Sequence, residues 1–146
     1  MTEQTSRVGI SDVTTLLARV VVGVVFIAHG LPKATDLQGT AAGFESMGIP
    51  LPQVAALVGA LIEVGAGAAL LVGFALPVAG VLLALMMGGA YTFAHLDDPL
   101  VGGFEIVLVL GATALALGFS GGRLAVDRVM PWGRVRSREK ASVPAA

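Results

Sequence analysis

Two carboxylates, two imidazoles and one guanidinium interrupt long apolar stretches of this 146-residue chain: Glu63, Glu105, His29, His95 and Arg19. In apolar surroundings each group has a defined use. A carboxylate carries a proton, an imidazole exchanges hydrogen bonds or ligates a metal, and a guanidinium holds an anion or a carbonyl in place. An ionisable group at the centre of a membrane costs about 2.5 to 3.5 kcal/mol on insertion scales, so it faces other protein and needs a partner. Glu63 and Glu105 are the candidate catalytic residues, as proton carriers, and His29, His95 and Arg19 are candidate cofactor-binding residues. The chain has no cysteine, which excludes a thiol nucleophile, a disulfide relay, cysteine-ligated iron–sulfur clusters and covalently attached c-type haem.

The elements that must position these groups are membrane spans. Residues 54–73 form a run of twenty in which Glu63 is the single residue that is neither apolar nor glycine. Twenty residues at a rise of ~1.5 Å cross a hydrocarbon layer of ~30 Å. Further spans are predicted at 13–31, 76–94 and 101–119. With 55% hydrophobic and 13% charged residues and a mean hydropathy of +0.87, the chain reads as one integral membrane domain over residues 13–122. A polar segment, 1–12, precedes that domain and a basic tail, 123–146, follows it. Ser11 or Asp12 is placed to cap the first helix. A cleaved leader is disfavoured there, because Arg19 would sit inside its apolar region and the stretch ends Ala28-His29-Gly30. Between the first two spans, Leu37, Ala41, Phe44 and Met47 recur at helical spacing after Asp36, and Gly48 with Pro50 would stop a helix. That pattern suggests a short amphipathic helix at the membrane surface, with a plain loop as the alternative.

Lysine and arginine counts give the expected orientation. The tail holds Arg123, Arg128, Arg134, Arg136, Arg138 and Lys140, and the amino terminus holds Arg7. The loop after the first span holds Lys33, and the loop after the third holds neither residue. The expectation is an all-α, four-helix transmembrane bundle with both termini cytoplasmic, a multi-pass protein of the cell membrane. Trp132 and the tail arginines would rest on lipid headgroups. Depths counted from the span ends place Arg19 ~9 Å from the cytoplasmic side and Glu63 ~14 Å from the outer side, within reach of one another. Arg19 and Glu63 are therefore the first expected pair. Glu105, His29 and His95 are expected near a common outer level. Ala56, Gly59, Ala60, Ala66 and Gly67 share a face with Glu63, and Gly23, Phe26 and Gly30 share one with Arg19, so small residues should let these helices meet closely. A purely structural ion pair remains the plain alternative for Arg19 and Glu63.

In this order the residues resemble a known family. Arg19, Gly23, Phe26, His29, Gly30 and Lys33 match an R-x3-G-x2-F-x2-HG-x2-K pattern of the DoxX family of small membrane proteins. Glu63 with Gly65, Gly67, Leu70 and Gly73 is similar to that family's E-x-G-x-G segment, and His95 with Gly102, Gly103 and Glu105 to its H-loop-GG-x-E segment. The stretch ending at Asp127 resembles the family's terminal G-P-G-x-x-S-L-D, with Gly121 for Pro and Ala125 for Ser. The resemblance spans residues 16–127 and adds Lys33 to the candidate cofactor-binding set. It implies a four-helix membrane bundle and an association with quinone-linked oxidoreductases and oxidative-stress systems.

Three functions are compatible with these residues. The leading one is a membrane subunit of a redox or oxidative-stress system that handles quinone or anchors a soluble oxidoreductase, with His29, His95 and Glu105 meeting the head group and Glu63 and Arg19 deeper. The second is a non-enzymatic scaffold or assembly factor without its own cofactor, whose basic tail recruits a partner. The third is b-type haem ligated by His29 and His95. No metal site is expected, because no H-x-x-x-H spacing is present. The expected partners are the lipid bilayer, a soluble or membrane redox protein and further copies of the chain, with no nucleic acid.

Overall fold

The computed structural model describes residues 8–120 and 122–130. Arg7, Gly121, Trp132 and the tail cations from Arg134 onward lie outside the described residues. Those that are described contain helices and no strand. Four helices are long and apolar enough to cross a membrane: α1 (Ile10–Thr35), α3 (Pro52–Val72), α4 (Leu76–Ala94) and α5 (Leu100–Ser120). A fifth, α2 (Leu37–Ser46), lies between α1 and α3. The fold is an all-α, four-helix transmembrane bundle, as expected.

Helix boundaries follow local chemistry. Gly9 is the N-cap of α1, and Asp12, three residues in, reaches back to accept the Gly9 N–H at 2.9 Å. Asp12 thus helps to start the helix, although Gly9 holds the cap position. Asp36 ends α1 and begins α2, where its Oδ1 accepts the Gly39 N–H at 2.8 Å. The helix between the first two spans is therefore real, and it packs against the first half of α3. Pro52 opens α3 in the first helical turn, where its missing N–H costs nothing. Gly73 closes it at φ 82°, in the left-handed region that favours glycine. In α5 the first turn is irregular, with Val101 extended and Gly102 at φ 79°, so the regular helix begins at Glu105.

The helices pair as α1 with α3 and α4 with α5, and the middle of α3 also touches α4. Both pairs are antiparallel and close. A methyl group on Gly23 would lie 2.8 Å from the Gly67 carbonyl oxygen, and one on Gly80 would lie 2.6 Å from the carbonyl of Ala114. Association without a hydrophobic drive rests on such close backbone packing. Val22, Phe26, Leu70, Leu76, Leu83 and Leu117 fill the buried core. Outside it, Leu17, Leu61, Leu85 and Ile106 are exposed, which suits a surface covered by lipid.

These contacts fix the register. Gly30 meets Glu63 and Val64, and Gly23 meets Gly67 and Leu71. Thr35, the last residue of α1, is thus level with about residue 59 of α3, roughly 10 Å short of the point where α3 begins. At the opposite end α1 extends past the α3–α4 turn. It is displaced toward the end of the bundle at which the described residues begin and end, and α2 fills the space left at the other end.

Candidate functional site

Glu63 lies in a five-residue π-turn, Ile62–Ala66, within α3. Such turns widen the helix by one residue and recur at functional positions. The carboxylate is 3% exposed, and its Oε2 accepts a hydrogen bond from Lys33 Nζ at 2.5 Å. Gly30 makes this approach possible: a methyl there would lie 2.8 Å from the Cβ of Glu63. The same ammonium also donates to the His29 carbonyl oxygen at 3.3 Å, one turn back along α1. With two of its three N–H groups engaged and its side chain 24% exposed, Lys33 keeps one donor available at the surface of the bundle. His29 is exposed on the same helix.

The expected pairing of Arg19 with Glu63 is corrected by the register. Arg19 is eleven residues from Gly30, so it sits ~16 Å from Glu63 along the axis, beyond the reach of its side chain. It lies instead against Gly73, at the α3–α4 turn. There its Nη2 donates to the Leu124 carbonyl oxygen at 2.5 Å, while Nε and Nη1 are buried with no hydrogen-bond partner among the described residues. The side chain is completely buried.

Leu124 belongs to a segment that folds back after α5. The Arg123 N–H donates to Asp12 Oδ1 at 2.9 Å. The carboxylate of Asp127 accepts the N–H groups of Ala75 and Leu76 at 2.7 and 2.8 Å and so caps α4, whose own cap residue, Ala75, has φ 46°. Asp127 was visible in the sequence only as part of a terminal motif, and nothing in its surroundings announced a cap for a helix fifty residues earlier.

The expected outer cluster divides. Tyr91 and Phe104 meet edge to face with ring centroids 5.0 Å apart, which places Glu105 at the end of the bundle where α4 finishes. His95, at the C-cap of α4, pairs through Nδ1 with Asp98 at 2.7 Å. Glu105 is half-buried and has no hydrogen-bond or ion-pair partner among the described residues. His29, by contrast, is level with about residue 65 of α3 and hence, counted across the α3–α4 turn, with about residue 84 of α4, roughly 16 Å from His95 along the axis. The two imidazoles do not share a depth, so the height condition for a haem bridge between them is not met. Among the described residues no group of three or more histidine, aspartate and glutamate side chains is placed to hold a metal.

The result is two separate polar sites, Lys33–Glu63 beside His29 in the middle of the bundle and His95–Asp98 near Glu105 at its loop end, with a third polar knot around Arg19 at the terminal end. A DoxX family model matches residues 14–96, more than half of the chain. The chain is similar to a Bacillus subtilis (strain 168) protein named "Putative oxidoreductase CatD", 38% identical over 117 residues that cover 80% of this chain and 86% of that one. It is also similar to "Inner membrane protein YphA" of Escherichia coli (strain K12), 29% identical over 122 residues that cover 77% and 87% of the two chains. No solved structure matches it. Four apolar helices and these relatives make it a multi-pass protein of the cell membrane, and the chain belongs to the DoxX family.

Proposed function

We propose that the protein is the membrane subunit of a redox system and that it handles quinone at the Lys33–Glu63 pair, with a separate oxidoreductase supplying the electrons. The observation that carries this reading is a buried carboxylate whose cation partner is itself partly exposed on the flank of the bundle. A quinone takes up two electrons and two protons on becoming quinol. Its carbonyl oxygen would accept a hydrogen bond from the remaining N–H of Lys33, and His29 lies on the same helix within reach of the membrane. Glu63 would accept or release a proton behind them. With no cysteine to cycle between thiol and disulfide, the electrons need a bound cofactor or another protein, and the proposed oxidoreductase is that protein. The oxidoreductase name of one relative supports a redox setting. The arginines near the chain ends support a cytoplasmic location for both termini, the side on which a soluble partner would dock.

Quinone content of the purified protein tests this. We expect wild-type protein in mild detergent to retain quinone, and Lys33→Met to retain about tenfold less, the effect of losing one charge-assisted hydrogen bond. Equal quinone in both proteins, or none above the level of bulk co-purified lipid in the wild type, contradicts the proposal.

A further inference from the structure

We propose that residues 122–130 form a strap that opens as a unit while the four-helix bundle stays folded, and that its opening uncovers Arg19.

Five hydrogen bonds tie the strap to the bundle, and little of its apolar surface is fully buried. Its backbone meets Asp12 through the Arg123 N–H, Arg19 through the Leu124 carbonyl, and Gly73 through the Asp127 N–H, which donates to the Gly73 carbonyl at 2.9 Å. The Asp127 side chain adds the two bonds that cap α4. Ala125 is the one fully buried residue of the segment and touches the core, Val126 and Met130 are half-buried, and Leu124, Arg128 and Val129 are exposed. Segments with few buried apolar contacts are those that open locally at a fraction of the global unfolding free energy. The helix contacts at Gly23, Gly67, Gly80 and Gly118 do not involve the strap, so the bundle has its own means of staying closed.

The latch is also incompletely satisfied. Arg19 is fully buried, yet two of its three guanidinium nitrogens have no hydrogen-bond partner among the described residues. A buried donor without a partner weakens the closed state relative to one in which water reaches it. Opening the strap would hydrate the guanidinium and remove the carboxylate from the first N–H groups of α4. The terminal end of the bundle would then carry an exposed cation next to an uncapped helix N-terminus, where the closed state presents a neutralised surface. The strap leads directly into the basic residues from Arg134 onward.

Because the chain lacks cysteine, single thiols report on this directly. Full-length Ala125→Cys, in detergent, is reacted with a small maleimide beside two references: Leu124→Cys, exposed in the strap, and Ala114→Cys, fully buried between helices. We expect the thiol at position 125 to react about tenfold or more slowly than that at 124, and about tenfold or more faster than that at 114, since opening of the strap is cheaper than opening of the bundle. Adding Asp127→Asn should raise the rate at 125 about tenfold with helicity unchanged, because the amide nitrogen cannot accept the second α4 N–H. A rate at 125 equal to that at 114 means that the strap opens only with the bundle. A rate equal to that at 124 means that no closed strap exists. Either result, or a rate indifferent to Asp127→Asn, overturns the proposal.

Discussion

The two charges at membrane depth, Glu63 and Arg19, are held by Lys33 and by the Leu124 carbonyl oxygen. Each stands out because almost everything around it is apolar. Their partners do not, since Lys33 lies past the apolar run of α1, and the Leu124 carbonyl is backbone and carries no sequence signal at all. The close seat of Glu63 against α1 gives a direct prediction. Gly30→Val would push its side chain into the Cβ of Glu63 and the Val64 side chain, and should destabilise the bundle by about 1 to 3 kcal/mol, the cost of overpacking. Thermal unfolding in detergent checks it, and an unchanged midpoint would mean that the helices are not that close. At the opposite end, Asp127→Ala should cost about 1 to 2 kcal/mol, since two N–H groups of α4 lose their acceptor. Asp127→Ser should recover part of that loss, because a hydroxyl oxygen still caps.

At the scale of elements, the third span was legible to the residue: apolar length, a preceding Pro-containing bend and a polar turn after it define α4 at both ends. Span one was not, because its helix continues through Pro32 and Lys33 to Asp36 and starts earlier, at Ile10. Depth counted from the end of an apolar run assumes that every helix ends in one plane. Here α1 is shifted along α3 by roughly 10 Å, and a sequence has no ruler for such a shift, which is set by which glycines meet. The α2 pattern, undecided between helix and loop, is helical because Asp36 caps it and α3 offers a surface to pack on. Close packing of α4 on α5 through Gly80 and Gly118 predicts that Gly118→Leu separates that pair. A methyl there already lies 2.9 Å from the Leu76 carbonyl oxygen. Reduced yield of folded protein with Gly118→Leu, and near-normal yield with Gly88→Ala, where a Cβ meets nothing, would bear this out.

For the whole molecule, composition alone gave the class, and the family resemblance and the structure agree on a four-helix bundle in the cell membrane. The arrangement of charge within it is what the fold adds. A mid-bundle ion pair, a buried arginine closed by a returning strap, and a loop-end histidine–aspartate pair stand at three heights, so the candidate residues do not form one pocket. Only the first combines a buried proton carrier with a donor open to the flank of the bundle, and the proposed quinone chemistry is placed there for that reason. The double variant Lys33→Met with Glu63→Gln tests this most directly. Removing one partner of a buried pair should cost about 3 kcal/mol, whereas removing both leaves no uncompensated charge and should restore most of the stability. We expect the double variant to fold close to the wild-type level and yet to purify without quinone. A double variant that is stable and still retains quinone would show that the pair holds helices together and takes no part in binding.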